Sequence, residues 1–138
     1  MKQTQTEIEK LLIGHEGLKQ FPYKCTAGKI TIGIGRNLTD KGITEEEALY
    51  LLKNDIKECV SDLNLIFVDI ETFPDNVQLV LISMRFQLGN SGFKKFKKMI
   101  AAFIDKDYKE AVIQMKDSNW YKQVPARAND LIKLIETT

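Results

Sequence analysis

The stretch KITIGIG at residues 29–35 alternates strictly and places three isoleucines on one face of a predicted β-strand. The other face carries Thr31, Gly33 and Gly35. Glycine reduces both packing and β propensity, so alternate glycines indicate either a close approach to the backbone or a local twist or bulge. The first alternative predicts the floor of a groove. Just before the strand, Thr26-Ala27-Gly28 predicts a hairpin turn.

Helical spacing of apolar residues dominates the rest of the chain. Thr44 and Glu47 have the spacing of a capping box, which predicts a long helix to about residue 63. Further helices are predicted at about 76–88, 97–105, 108–116 and 125–136. The predicted fold class is therefore α+β, helix-dominated, with one small sheet near the N-terminus.

One domain is predicted over residues 1–138, a length that is ordinary for a single domain. Within it we expect a small β-containing lobe at about 15–43 and a linking helix at 44–63. The helical lobe is expected to contain about 64–138 together with the N-terminal helix.

The composition excludes several classes of protein. The chain has 20 Lys and Arg against 19 Asp and Glu, so its formal net charge of +1 lacks the basic excess typical of nucleic-acid-binding proteins. Two cysteines and one histidine are too few for a disulfide scaffold and argue against a structural zinc site. No cofactor and no metal are predicted.

The N-terminal region predicts a protein that is made in the cytoplasm. Residues 1–7 lack the apolar stretch of a secretory signal, and no apolar run approaches the length of a membrane span. We therefore expect no membrane anchor, and we expect both cysteines to be reduced on synthesis.

Three side chains in the first quarter of the sequence can do chemistry. Glu16 follows the first predicted helix, eight residues separate it from Cys25, and five residues separate Cys25 from Thr31. Singly, each has an ordinary interpretation as a solvated carboxylate, an inert thiol and a strand hydroxyl. Together they resemble the catalytic signature of the phage T4-type lysozymes, glycoside hydrolase family 24, whose middle position is usually Asp but is Cys in some members.

The resemblance covers nearly the whole chain in three blocks. They are IGHEGLK with TIGIG at 13–19 and 31–35, FQLGNSGF at 86–93, and WYKQVPARA at 120–128. It implies a lysozyme-like fold and a muramidase that hydrolyses the β-1,4 bond between N-acetylmuramic acid and N-acetylglucosamine in peptidoglycan. It further implies a monomeric endolysin that a separate holin-like factor releases from the host cytoplasm to the cell wall.

The resemblance also assigns catalytic roles. Glu16 corresponds to the general acid, Arg127 to the arginine that pairs with it and orients it, and Thr31 to a residue that holds water or orients the sugar. Cys25 departs from the usual carboxylate, because a thiol is mostly neutral at pH 7 unless its site lowers its pKa. Its action as a water-positioning base, as a nucleophile or as a redox switch stays open. The choice between inversion and retention, and between hydrolysis and transglycosylation, stays open with it.

Substrate-binding residues are implied in the same way. Phe86 corresponds to a groove-lining aromatic with Gln87 beside it, and Gln114 replaces the usual Asn with another amide that can bond an N-acetyl group. Asn37 occupies a sugar-contacting position at which only the backbone carries over. Arg36 stands where the family usually has His, so we expect the typical ion pair at this position to be lost.

A second class of function remains open. A lysozyme-fold protein that has lost turnover, such as a virion component, would only bind glycan strands. Cys25 favours this reading, whereas Glu16, Thr31, Arg127 and the glycine-bearing strand favour the enzyme.

Overall fold

The computed structural model describes the backbone of residues 2–138 and the side chains of residues 5–138. The helices are α1 (Lys2–Glu16), α2 (Leu38–Lys41), α3 (Glu45–Phe67), α4 (Asp75–Lys94), α5 (Lys97–Ile104), α6 (Tyr108–Lys116), α7 (Asn119–Gln123) and α8 (Pro125–Glu136). The strands are β1 (Lys19–Lys24), β2 (Ile30–Gly33) and β3 (Arg36–Asn37), and a short 3-10 helix covers Ile70–Thr72. The predicted α+β, helix-dominated class is confirmed. Residue 1 of the predicted domain lies outside the described residues.

The contacts divide the chain into two units, one that ends at Tyr50 and one that covers Leu51–Thr138. The first unit contains α1 and the sheet, the second contains α4 to α8, and α3 contains the boundary. The N-terminal helix was expected in the helical lobe, yet α1 falls in the first unit, and its described side chains are exposed through Glu16. The lobe boundaries taken from the sequence stay predictions.

The sheet is antiparallel, with strand order β1-β2-β3. The predicted turn between β1 and β2 is confirmed, because the Gly28 N–H donates to the Cys25 carbonyl at 2.8 Å. The predicted second strand is shorter than expected. It ends at Gly33, and the next two residues form a turn to β3. Gly33 and Gly35 have φ of +70° and +69°, a left-handed conformation that closes this hairpin and favours glycine.

The start of α3 is the capping box that the sequence predicts. The Glu47 N–H donates to the Thr44 hydroxyl at 3.1 Å, and the Thr44 N–H donates to the Glu47 carboxylate at 2.8 Å. Three glutamates occupy the first turn of α3, where the helix dipole favours negative charge. The helix therefore begins at a sharply defined place, directly after the loop that follows α2.

The apolar core of the second unit is built around Phe67. Its ring contacts Phe73, Phe93 and Phe103 edge-on, with centroid distances of 5.5, 6.3 and 6.5 Å. The predicted helix at about 76–88 is confirmed within α4, and its expected end coincides with a kink at Gly89, where φ is +74°. The predicted helices at about 97–105, 108–116 and 125–136 are confirmed by α5, α6 and α8.

Candidate functional site

The carboxylate of Glu16 lies against the turn between β2 and β3. Glu16 is the last residue of α1, and Gly17 follows it with φ of +74°. A Cβ placed on Gly35 would lie 3.0 Å from Glu16 Oε2 and 3.2 Å from its Cδ. Only a residue without a side chain allows the carboxylate to approach the turn this closely. The sequence left open whether the glycines of this strand allow a close approach to the backbone or serve a local twist. Gly35 does both, because it closes the hairpin and leaves room for the Glu16 carboxylate.

Cys25 and Thr31 meet at one backbone carbonyl. The Cys25 N–H donates to the Lys29 carbonyl at 2.9 Å, and the Thr31 hydroxyl donates to the same oxygen at 3.0 Å. Cys25 is partly exposed, and Thr31 is only 4% exposed in the central strand. The structure therefore brings together two of the three residues of the predicted catalytic set.

The turn around Cys25 favours the thiolate. The backbone N–H of Lys29 and then that of Ala27 lower the pKa of the thiol from its usual 9.0, while burial opposes them and the Thr31 hydroxyl adds a smaller lowering. We assign the single Thr31 proton to the Lys29 carbonyl, because that pair has hydrogen-bond geometry. Backbone donors therefore account for most of the stabilisation of the anion, as they do in other anion-binding turns.

Asn37 lies opposite Thr31 in the β2–β3 register. Its side chain is already engaged, because its Oδ1 accepts from the Asp40 N–H at 3.1 Å and its Nδ2 donates to the Asp40 carboxylate at 3.0 Å. These bonds cap the short helix α2. The arrangement is compatible with the expectation that only the backbone of Asn37 is available to a ligand.

Arg36 forms an ion pair with Glu47, while the loss of the pair typical of the family stays a prediction. Both terminal nitrogens of Arg36 donate to the Glu47 carboxylate at 2.8 Å, and Nη1 also donates to the Gly42 carbonyl at 3.2 Å. The guanidinium, followed by the Thr44 N–H, lowers the pKa of Glu47 to about 2. The capping box already placed Glu47 at a helix start. That β3 brings a cation to the same place was not predicted from the sequence.

Arg127 lies in the second unit, in the first turn of α8. Its guanidinium donates to the hydroxyl of Ser83 at 3.3 Å and to the carbonyl of the same residue at 3.5 Å. The side chain is exposed. Its predicted pairing with Glu16 stays a prediction.

Two of the three predicted sugar-binding residues of the second unit, Gln87 and Gln114, lie near Trp120. Gln87 accepts a hydrogen bond from the Trp120 indole N–H at 2.9 Å, and Phe86 beside it is 45% exposed. Gln114 donates to Glu110 at 2.8 Å and lines a groove of about 670 Å³ together with Trp120. Trp120 itself is 4% exposed and belongs to the apolar core. The binding roles of these residues stay predictions.

Within the part of the chain that the structure describes, no group of three or more His, Cys, Asp or Glu is arranged to hold a metal ion. Nor does this part contain a helix that is both long enough and apolar enough to span a membrane.

The first unit thus offers a carboxyl that can donate a proton and a thiol whose anion is favoured by backbone donors. Glycoside hydrolysis generally needs an acid for the leaving oxygen and a second group for water or the sugar. A helix-dominated α+β fold with a small antiparallel sheet is consistent with the lysozyme-like class expected from the sequence.

Comparison with known proteins agrees with that class. The sequence profile of a family described as "Phage lysozyme" matches residues 13–133. Two proteins of Dictyostelium discoideum, "Probable T4-type lysozyme 1" and "Probable T4-type lysozyme 2", are 31% and 29% identical, with 96% of this chain and 95% of each relative aligned. The "Pre-baseplate central spike protein Gp5" of Enterobacteria phage T4 is 30% identical over 94% of this chain and 28% of its own length.

The chain belongs to the phage lysozyme family. The lysozyme-like fold expected from the sequence is confirmed, and family membership supports a muramidase-like glycosidase function.

Proposed function

We propose that the protein is a muramidase that hydrolyses the β-1,4 bond between N-acetylmuramic acid and N-acetylglucosamine in peptidoglycan. The observation that carries the proposal is the Glu16 carboxylate against the Gly35 turn, in a chain of the phage lysozyme family. Two relatives that align over nearly their full length are described as "Probable T4-type lysozyme".

In the proposed reaction, Glu16 donates its proton to the glycosidic oxygen as the bond from that oxygen to C1 breaks. If Cys25 acts as a base, its thiolate accepts a proton from a water molecule whose oxygen attacks C1, and the configuration inverts. If Cys25 acts as a nucleophile, its sulfur bonds C1 first. Water then displaces the sulfur while the Glu16 carboxylate accepts the proton, and the configuration is retained. The backbone donors around Cys25 support both routes, because both need the thiolate.

The remaining residues have supporting roles in the proposal. The hydroxyl proton of Thr31 is held by a carbonyl, so towards a water molecule this oxygen acts as an acceptor. Arg127 orients Glu16, and the Asn37 backbone contacts sugar. The second unit contributes three further candidate contacts to the glycan strand, namely Phe86, Gln87 and Gln114.

Digestion of purified peptidoglycan sacculi tests the proposal. We expect the wild-type protein to release soluble fragments with N-acetylmuramic acid at the new reducing ends, measured by mass spectrometry. Glu16→Gln should abolish release, whereas Glu7→Gln, an equivalent charge change at an exposed position of the same helix, should leave it intact. New reducing ends on N-acetylglucosamine would contradict the assigned bond, and 1,6-anhydro ends would indicate a transglycosylase instead.

Substitutions at Cys25 test its role separately. Cys25→Ala should strongly reduce release, and Cys25→Asp should retain part of it, because a carboxylate can also position water. Proton NMR of the first product anomer distinguishes inversion, expected for a base, from retention, expected for a nucleophile. Wild-type rates in Cys25→Ala would exclude Cys25 from the reaction.

The second candidate function is a glycan-binding protein without turnover. Cys25 in place of the usual carboxylate favours it, and so does the similarity to a relative described as a spike protein. In that case the wild-type protein would pellet with sacculi while releasing no fragments. Saturable pelleting without release would replace the muramidase proposal.

Host lysis is part of the proposal, with synthesis in the host cytoplasm and release by a holin-like factor. It predicts that the protein clears a suspension of permeabilised Gram-negative cells but not one of intact cells. Clearing of intact cells at the same rate would remove the need for a separate release factor.

A further inference from the structure

Arg36 ties the β2–β3 hairpin to the start of α3. Its two terminal nitrogens make parallel 2.8 Å bonds to the two carboxylate oxygens of Glu47, and a third bond of 3.2 Å reaches the Gly42 carbonyl. Two parallel bonds fix both the distance between the guanidinium and the carboxylate and their relative orientation, whereas the point charge of a lysine would not fix the orientation. Arg36 and Glu47 are both partly buried.

Among the described residues, the hairpin is also held by its β-ladder and by two bonds from α2, in which the Ile30 N–H donates to the Thr39 hydroxyl at 2.8 Å and Lys29 pairs with Asp40 at 3.2 Å. Strand β3 is two residues long and lies at the edge of the described sheet, where it pairs with β2 through Thr31 with Asn37 and Ile32 with Arg36. An edge strand of this length contributes few ladder hydrogen bonds. The helix that follows is one turn long and is capped by its own Asn37 side chain. A tie from β3 to the long helix α3 therefore adds a constraint that the sheet does not supply.

The hairpin turn is also the surface on which the Glu16 carboxylate rests. Gly35 precedes Arg36 directly, and its missing Cβ would lie 3.0 Å from Glu16 Oε2. Any shift of the turn by a few tenths of an ångström changes the wall against which the carboxylate packs.

We propose that Arg36 and Glu47 are a positioning pair that holds the Gly35 turn against Glu16 and thereby fixes the orientation of this carboxyl for proton donation. The inference rests on the proposed function of Glu16 as general acid. Neither residue of the pair is assigned to contact substrate. Arginine is needed at this position because lysine keeps the charge but not the two parallel bonds.

Steady-state kinetics on soluble glycan strands separate positioning from binding. We expect Arg36→Met and Glu47→Gln each to lower kcat about tenfold with KM changed less than about twofold, because a small misplacement of a catalytic group acts on the chemical step. Arg36→Lys, which keeps the charge and should fold, is expected to recover part of the loss. The matched control is Glu46→Gln, an exposed glutamate in the same helical turn, with wild-type kcat expected.

Two kinetic results would overturn the proposal, provided that far-UV circular dichroism shows folded variants. One is wild-type kcat in both Arg36→Met and Glu47→Gln. The other is an equal loss in Glu46→Gln, which would indicate a general charge effect. If Arg36→Met fails to fold, Glu47→Gln and Arg36→Lys carry the same test.

A measurement that does not need turnover distinguishes this inference from the proposed function. In protein labelled with carbon-13 at the glutamate carboxyls, the Glu16 resonance is identified by its loss in Glu16→Gln. We expect this resonance to shift in Arg36→Met and not in Glu46→Gln. If the wild type cleaves no glycan while the resonance shifts, the proposed function fails and the tie to the carboxyl stands. If the wild type cleaves glycan and neither the resonance nor kcat changes, the positioning role fails.

Discussion

Replacing Gly35 with alanine tests the contact between the hairpin turn and the candidate acid. The new Cβ would lie 3.0 Å from Glu16 Oε2, 3.2 Å from its Cδ and 3.3 Å from its Cγ. Ordinary non-bonded contact begins at about 3.4 Å, so the carboxylate must move by about 0.4 Å to accommodate the methyl group. The backbone at Gly35 has φ of +69°, which adds a strain that any L-residue would experience.

Both effects can be given a magnitude. The left-handed backbone costs an L-residue about 1–2 kcal/mol, and the reduced entropy of the unfolded chain offsets part of it, which leaves about 1 kcal/mol of lost stability. For a protein of this size that corresponds to a Tm lower by about 3–5 °C. A misplacement of about 1 Å can cost about 100-fold in rate, so 0.4 Å on the same logarithmic scale predicts kcat lower by about sixfold.

The matched control is Gly28→Ala in the turn between β1 and β2. Gly28 has φ of +78°, and nothing lies within 4 Å of the Cβ that alanine would add. Both variants should therefore lose about the same stability, measured by thermal unfolding. Only Gly35→Ala should lose activity, measured as kcat on soluble glycan strands well below the Tm of both proteins.

Equal kcat in the two variants would refute the predicted connection between the Gly35 contact and the action of Glu16. A larger Tm loss in Gly35→Ala with unchanged kcat would show that the contact is structural only.

Three further predictions concern other charges and the thiols. Arg85 is 9% exposed and donates to the Asp62 carboxylate at 2.6 and 3.0 Å. Asp62→Asn should therefore lower the free energy of unfolding, measured in urea, by about 2 kcal/mol. An unchanged midpoint of urea unfolding would contradict a structural role for this pair. The Arg36 guanidinium holds the pKa of the Glu47 carboxyl at about 2, below the usual 4.5. The ion pair therefore stabilises the folded state fully above about pH 4.5. This stabilisation is lost as the pH falls towards 2. The Tm difference between wild type and Glu47→Gln should therefore be constant above pH 5 and shrink below it, as scanning calorimetry can measure; a constant difference down to pH 2 would exclude the linkage. Finally, iodoacetamide should modify Cys25 faster than Cys59 at pH 7. The Lys29 N–H lowers the pKa of Cys25, whereas burial raises the pKa of Cys59, which is 1% exposed. Equal modification rates, measured by mass spectrometry, would contradict this prediction.

Local signals predicted much of the fold. The alternating stretch at 29–35 predicted β2, and the glycine after Ala27 predicted the hairpin turn, because both depend on backbone preferences of adjacent residues. The Thr44 capping box predicted the start of α3 for the same reason. The short helices α2 and α7 were not predicted, since elements of four and five residues show too little periodicity to be recognised.

The residue types of the candidate site could be predicted from the sequence, but the hydrogen bonds and ion pairs among them could not. The spacing of Glu16, Cys25 and Thr31 and the resemblance identified the candidate set, and the structure brings two of them to the Lys29 carbonyl. That shared carbonyl depends on the conformation of one turn, which residue types alone do not specify. The pairing of Arg36 with Glu47 was not predicted, because the resemblance concerned only the ion pair that the usual His makes at this position.

The amino-acid sequence by itself determined the α+β class, the capped start of α3 and the identity of the groups that can do chemistry, because these depend on local preferences and on side-chain type. Tertiary structure decided which groups meet. The approach of Glu16 to Gly35 joins residues 19 positions apart, and the pairing of Arg36 with Glu47 joins residues 11 apart across the short helix α2 and the loop after it. Such contacts depend on the path of the whole chain between the partners, so no local pattern contains them.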